Sequence, residues 1–334
     1  MNQPPPTEQV QPGVWSVPVP IPDSPLGYTL VYAIDSERGP VLVDAGWDDP
    51  STLSTLEDGL STAGFALEEV YGILVTHHHP DHHGLSGTVR ERSGAWIAMH
   101  PADAEFVSRA RESITDYLAT TAAVLLQAGA SEEDLARLPS QERIQAMQLR
   151  APAIPNRLIA DGEKVDVPGW AVRAAHTPGH TPGHVCFVLE RYDALLSGDH
   201  ILPGISPHIG LFDEGHDHDP LGLYLASLER FRGTGIREVL PAHEHRFQDA
   251  DGRIAALVAH HSERLTAIRE QLADGPATGW DIATRMPWNR AWQDIPPMMK
   301  RAALAEALAH VRHLEHLGVI VTDDTHSPTT YDLA

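Results

Sequence analysis

The chain has 334 residues, 42% hydrophobic and 21% charged, which is room for one large and one small domain with ordinary packed cores. Its formal net charge of -22, histidines neutral, excludes a broad phosphate-binding surface, because nonspecific nucleic-acid affinity comes from Lys and Arg. A single cysteine excludes an intrachain disulfide, and no apolar run is long enough to span a bilayer.

Residues 1–12, rich in Pro and Gln, read as a loose tail. They lack the charged and apolar regions of a secretory signal, so a cytoplasmic location is expected. Residues 14–19 and 28–34 read as strands separated by the turn-rich stretch 23–27. A third strand is expected at 39–44, with Asp44 at its end. Residues 51–63 read as a helix with Asp49 or Ser51 as N-cap and Gly64 closing it. A short apolar strand at 71–76 then runs into the densest polar cluster of the chain.

From His77 to His83, seven consecutive positions carry five histidines and Asp81. Neutral imidazole and ionised carboxylate suit zinc, iron and manganese. Side chains two apart in extended chain point the same way, so His77 and His79 can reach one ion. Asp81 and His82 lie past Pro80, where the chain must turn, and can face a second ion. A strand before the cluster and a helix from Gly84 place it at a strand-to-helix junction, a common position for chemistry in α/β sheets. The bland alternative is a chance polar loop or a histidine-rich patch that binds metal nonspecifically.

Residues 96–100 read as a strand, and Pro101 opens a helix at its first position. Residues 112–150 show helical patterns at 114–126, 132–138 and 141–147. Their apolar stripe, which includes Tyr117, is expected to pack as core rather than to touch a ligand. Strands follow at 170–175, 185–189 and 193–197, and Cys186 in the second of them reads as a buried core thiol. The loop 207–220 carries His208, His216 and His218. It reads as a solvated polar loop, with substrate contact as the sharper alternative. A helix at 221–232 and a strand at 236–240 complete this part. Beyond residue 250, helices at 254–272, 280–285 and 299–317 precede two short strands at 318–322 and 330–333, the winged-helix order. About three more acids than bases follow residue 254, so packing or dimerisation is expected there rather than DNA binding.

The stretch Thr76-His77-His78-His79-Pro80-Asp81-His82-His83-Gly84 resembles the signature of the metallo-β-lactamase fold superfamily. Later motifs fall in the order that the resemblance requires. His180 stands in His-Thr-Pro-Gly-His-Thr-Pro-Gly-His (176–184), and Asp199 in Leu-Leu-Ser-Gly-Asp-His (195–200). His243 stands in Val-Leu-Pro-Ala-His-Glu-His (239–245), and Asp44 stands upstream in Val-Leu-Val-Asp-Ala-Gly (41–46). The resemblance covers residues 13–250 and includes the glyoxalase II-like repeat of Thr-Pro-Gly-His. Residues 251–334 are similar to the small winged-helix domain on a branch that includes endoribonuclease-like hydrolases. One departure is the last motif, usually Pro-Gly-His-Gly in relatives and here Pro-Ala-His-Glu, which makes His245 a weaker rival to His243.

The resemblance implies an α/β fold: an αββα sandwich with a small C-terminal winged-helix domain and a helical lid at 112–150. His77, His79 and His180 would hold one divalent ion; Asp81, His82 and His243 would hold a second; Asp199 would bridge them. Zinc leads, with iron and manganese as alternatives. Asp44, His184 and His245 would stand behind these ligands. The implied activity is hydrolysis of a small ester, thioester or lactone by a hydroxide shared between two ions, with Asp81 orienting it. The alternatives are a phosphodiesterase or endoribonuclease, an iron-dependent redox enzyme of the sulfur dioxygenase kind, and a noncatalytic metal-binding module. Tyr117, His216 and His218 are the candidate substrate contacts. A small-molecule substrate is expected as partner, without nucleic acid or membrane, and a homodimer stays open. No Gly-x-Ser-x-Gly elbow, Walker loop or Gly-x-Gly-x-x-Gly competes.

Overall fold

Alternation of side chains along short strands builds two sheets that share one core. The computed structural model describes residues 4–112, 123–131, 152–211 and 218–334. Contacts divide the chain into two units. One is built from Met1–Arg111, Arg150–Pro207 and Ser227–Ile254, the other from Glu112–Leu149, His208–Ala226 and Ala255–Ala334.

The first sheet of the first unit holds β1 (Glu8–Gln11), β2 (Val14–Pro20), β3 (Tyr28–Ile34), β4 (Val41–Val43), β5 (Gly72–Leu74), β6 (Trp96–Met99) and β7 (Arg157–Leu158), side by side in chain order. It is antiparallel from β1 to β4 and parallel from β4 to β7. The second sheet runs in the order β11 (Glu238–Pro241), β10 (Ala194–Gly198), β9 (Val185–Leu189), β8 (Val172–His176).

The period of two divides each strand between two cores. Leu30, Tyr32, Ile34, Val43, Leu74 and Ala98 of the first sheet cluster with Val172, Phe187, Leu196 and Leu240 of the second. Their neighbours Val31, Ala33, Leu42, Ile73 and Ile97 face the other way. There they pack with Leu56 and Leu60 of α1 (Pro50–Thr62), Val89 of α3 (Ser86–Ser93) and Val107 of α4 (Pro101–Glu112). Cys186, Leu195 and Val239, on the opposite face of the second sheet, are also fully buried, so that sheet too is covered on both sides. The result is an α/β sandwich of the αββα kind. Each fully buried Leu or Ile contributes roughly 1.5–3 kcal/mol, so the two cores carry most of the stability.

Local chemistry sets the helix ends. Asp49 caps α1 by accepting from the Ser51 amide at 2.8 Å, with Pro50 in the first turn. Gly64 follows at φ +89°, a left-handed position that favours glycine.

Two strands of this unit depart from expectation. Residues 8–11 are not loose: β1 pairs antiparallel with β2, buries Val10, and Gln11 Nε2 donates to Glu238 Oε2 at 2.6 Å. β7 spans two exposed residues, too few to show a period.

In the second unit, the remainder of the helix Ala250–Leu272 is followed by helices Gly279–Arg285 and Pro297–His316. A three-stranded antiparallel sheet lies in the order β12 (Ala277–Thr278), β14 (Thr330–Leu333), β13 (Ile320–Asp323). The expected helices and strands appear with ends shifted by a few residues, and β12 is an addition. Thr278 ends β12 and caps the next helix in a capping box with Asp281. The carbonyls of Gln127 and Ala128 accept from Thr329 N at 2.9 Å and Trp280 N at 2.8 Å, so residues 123–131 belong to this unit. The helices expected at 132–138 and 141–147 lie outside the described residues, as does most of that at 114–126. Among the described residues, no helix is long and apolar enough to cross a membrane.

Candidate metal centre

The seven predicted ligands lie on segments that follow β5, β8, β10 and β11. After β5 the chain extends through His77 and His79. It then turns into the four-residue helix α2 (Pro80–His83), whose His82 and His83 amides bond back to the His79 carbonyl. Pro80 starts this turn without sacrificing a needed donor, and Asp81 and His82 are presented from it.

Two groups of donors result. His77 Nε2, His79 Nδ1 and His180 Nε2 stand 2.9, 3.0 and 3.1 Å from one another. Asp81 Oδ2 lies 3.5 Å from His82 Nε2 and 3.4 Å from His243 Nε2. Asp199 stands between the groups. Its Oδ2 is 3.5 Å from His180 Nε2, and its Oδ1 is 3.3 Å from His243 Nε2 and 3.6 Å from His82 Nε2.

The surroundings decide which nitrogen of each ring carries a lone pair. Thr76 Oγ1 donates its one proton to Asp44 Oδ2 at 2.9 Å, since an ionised carboxylate can only accept. The 3.0 Å contact of Thr76 Oγ1 with His77 Nδ1 therefore needs a proton on Nδ1, leaving Nε2 as an acceptor. His82 Nδ1 donates to Asp44 Oδ2 at 2.8 Å, and His243 Nδ1 donates to the Tyr28 carbonyl at 3.0 Å. In each ring Nε2 is aimed at the cluster with no proton left to share when the ring is neutral.

These donors fit metal ions. Three mutually close nitrogens cannot all be satisfied by one another's protons, whereas ion–nitrogen bonds of about 2.0–2.1 Å call for nitrogens about this far apart. His82 Nε2, His243 Nε2 and Asp199 Oδ1 are buried and have no hydrogen-bond partner among the described residues. Buried orphans of this kind are costly and need an explanation. The groups His77/His79/His180, His77/His82/Asp199 and Asp81/His82/His243 each bring three ligand atoms within 4.8 Å, so these groups could hold metal ions.

Electrostatics point the same way. Burial, and then neighbouring imidazoles, hold His77 and His79 well below the usual histidine value. For His82, burial is outweighed by Asp81, Asp199 and Asp44, which raise it well above that value. For His243, burial is outweighed by Asp199 and Asp81, and its pKa is pushed up to about 10. Two buried carboxylates thus demand positive charge, which protons on His82 and His243 or cations can supply.

The flanking residues fall into place around this cluster. Asp44 takes φ +63° at the end of β4, accepts from Thr76 N at 2.8 Å and orients His82. His184 Nε2 accepts from the Asp199 amide at 3.2 Å, while its Nδ1 meets Thr177 Oγ1 at 2.7 Å. His184 therefore positions Asp199 and has no lone pair left for an ion. His245 is exposed; His243 is the histidine that joins the cluster. The residue between them, Glu244, turns back at φ +68° and accepts from Gly204 N at 2.7 Å. His83 and His176 make local bonds, to Ser86 Oγ at 2.9 Å and the Pro182 carbonyl at 2.9 Å. Of the candidate substrate contacts, Tyr117 and His216 lie outside the described residues, and His218 is partly buried in the second unit.

Sequence reasoning missed Asp103 and the Tyr28 carbonyl. Asp103, fully buried, accepts from His78 N at 2.9 Å and Thr181 Oγ1 at 2.9 Å, beside the ligands of the first group. No residue type distinguishes a backbone acceptor, and an Asp in a first helical turn reads as an ordinary helix start.

An αββα sandwich with paired His/Asp donor groups on the loops after its strands is the architecture of metal-centred hydrolases. This chain belongs to the metallo-β-lactamase superfamily, whose family profile matches residues 24–243. It is similar to the metallo-beta-lactamase family protein TTHA1429 of Thermus thermophilus, with 31% identity and a TM-score of 0.82 over 98% of this chain and 100% of that one. A beta-lactamase domain protein of Burkholderia ambifaria superposes with a TM-score of 0.83 at 28% identity, over 98% of this chain and 94% of that one. Lactamase-like protein adaB of Aspergillus niger is 26% identical over 258 residues, 75% of this chain and 62% of adaB. Atrochrysone carboxyl ACP thioesterase dmxR1 of Cryptosporiopsis sp. is 25% identical over 244 residues, 73% of this chain and 57% of that protein. The chain thus spans less than two thirds of either fungal relative.

Proposed function

We propose that the chain is a metal-dependent hydrolase of small acyl substrates, thioesters first and esters or lactones next. The observation that carries this reading is the pair of donor groups joined by Asp199, with the buried Nε2 atoms of His82 and His243 left without a hydrogen-bond partner among the described residues. In it, His77, His79 and His180 hold one divalent cation, Asp81, His82 and His243 hold a second, and Asp199 serves both. Nitrogen and oxygen donors without a thiolate suit zinc, with iron or manganese as substitutes. Bound there, such cations lower the pKa of water toward neutrality and polarise an acyl carbonyl. Asp44, Thr76 and the Tyr28 carbonyl orient the rings of His77, His82 and His243. Asp81, partly exposed, orients water by accepting its hydrogen bond. Hydrolysis then adds water across the acyl–sulfur or acyl–oxygen bond and releases an acid with a thiol or alcohol.

The thioester preference is supported by the name of the Cryptosporiopsis relative. The same reading takes residues 251–334 as a winged-helix-like packing domain, supported by their helix and strand order and their acidic excess. Metal analysis of the purified protein, followed by a panel of thioesters, esters, lactones, β-lactams and phosphodiesters, tests the proposal. Thioester turnover that is lost on chelation and restored by zinc is expected. Turnover of bis-p-nitrophenyl phosphate without any acyl hydrolysis replaces the reading with a phosphodiesterase.

A further inference from the structure

We infer that Asp103 is a positioning residue for the His77/His79/His180 group alone, clamping together the two loops that bring these three histidines to one point. The inference rests on the metal-binding reading above and says how one of its two sites is held.

Asp103 lies in the first turn of α4, a favourable place for a negative charge, and is fully buried. Its Oδ2 accepts from His78 N at 2.9 Å and from Thr181 Oγ1 at 2.9 Å, and His78 Nδ1 lies 3.0 Å away. Its Oδ1 accepts from Gly183 N at 2.6 Å. His78 sits between His77 and His79 in the chain, and Thr181 directly follows His180. One side chain therefore ties the backbone of the first loop to the backbone of the second, and its hydrogen bonds engage no residue of the Asp81/His82/His243 group.

Gly183 completes the clamp. A Cβ at this position would lie 2.5 Å from the Asp103 amide and 2.6 Å from Asp103 Oδ1. Only glycine lets this loop close onto the start of α4. The doubled Thr-Pro-Gly-His string of residues 176–184 then divides its labour. Its first half delivers His180, and its second half delivers Thr181 and Gly183 to Asp103 and His184 to Asp199. Asp44 behaves differently. It orients His82 directly and reaches His77 through Thr76, so it serves both groups.

An Asn at position 103 offers one acceptor oxygen where the carboxylate offers two, and its amide would face a buried N–H. The test uses the full-length chain and Co²⁺, read by its visible absorption and by competition with a chelator. Backgrounds of His243→Ala and His180→Ala leave the first or the second site intact. Asp103→Asn is expected to weaken Co²⁺ binding by about 10–100-fold in the His243→Ala background, the usual effect of losing a residue that orients ligands. In the His180→Ala background the same change leaves affinity within about twofold. Thr181→Val shifts the first site in the same direction by less, and carries the test if Asp103→Asn does not fold. Asp44→Asn lowers affinity in both backgrounds. Equal loss at both sites, as a merely structural Asp103 would give, overturns the inference, as does no loss at either. A wild-type chain that takes up no Co²⁺ overturns the metal-binding reading itself.

Discussion

Two sets of buried imidazoles in this chain meet opposite electrostatic conditions. In the first unit, His82 and His243 stand among Asp44, Asp81 and Asp199, which raise their proton affinity against the penalty of burial. In the second unit, His261 and His310 are equally buried, with Nδ1 and Nε2 3.0 Å apart. Burial, followed by neighbouring imidazoles for His261 and by Arg264 for His310, pushes them down to about 2 and about 3. His310 Nδ1 donates to the Glu306 carbonyl at 2.7 Å, the bond of a satisfied core histidine. Among the described residues, every set of three donors close enough to hold an ion lies in the first unit. Burial of histidine thus marks no site by itself; converging lone pairs beside carboxylates do.

The contrast can be broken most severely at Asp199. Asp199→Ala removes the carboxylate that faces both donor groups. It is expected to lower kcat/KM on the best thioester by on the order of 10³-fold or more, since cation-based charge stabilisation is worth several kcal/mol. Full turnover in this variant would mean that the cluster is not the reactive centre. The matching change in the other set, His310→Ala, is expected to leave Co²⁺ uptake and turnover intact. It should cost about 1–3 kcal/mol in urea unfolding, the ordinary range for a buried substitution.

A subtler contrast lies in pH. His310 titrates at about 3 in the folded chain against about 6.5 unfolded, so the unfolded state binds the extra proton between these values. Stability from this group is full above pH of about 6.5 and declines as pH falls toward about 3, and His310→Gln flattens that decline. His243 has the opposite sign in chelator-treated protein. Its folded pKa of about 10 gives stability that is full below about pH 6.5 and lost as pH rises through about 10. Thermal unfolding against pH for His243→Gln and His310→Gln should give slopes altered on opposite sides of neutrality; matching slopes would erase the distinction. The smallest effect is expected at Cys186, whose thiol burial pushes up to about 12. Iodoacetamide at pH 8 should leave the folded chain unmodified and its turnover unchanged.

The first unit was legible because its chemistry is written in short, spaced motifs. Short runs such as 28–34 and 71–76 read as strands, and the order of His77, His79, Asp81, His82, His180, Asp199 and His243 named a cluster before any geometry. Part of what supports that cluster was not legible. The Tyr28 carbonyl and the Asp103 carboxylate act through position, and Asp103 meets Thr181 and Gly183 across 78 and 80 residues of chain. His245 kept a claim on sequence alone, because a histidine two residues from His243 has the same chemistry, and only the turn at Glu244 sends it to the surface. β7 and β12 escaped because two residues hold no period, and β1 because its strand is an edge rich in polar residues.

The decisive question is whether this cluster binds two cations through its two donor groups. Metal content per chain, measured after stripping and reloading with zinc, is the direct test. It should give two ions for the wild type, one for His180→Ala and for His243→Ala, and none held tightly by the double variant. Equal zinc content in all four proteins would contradict it.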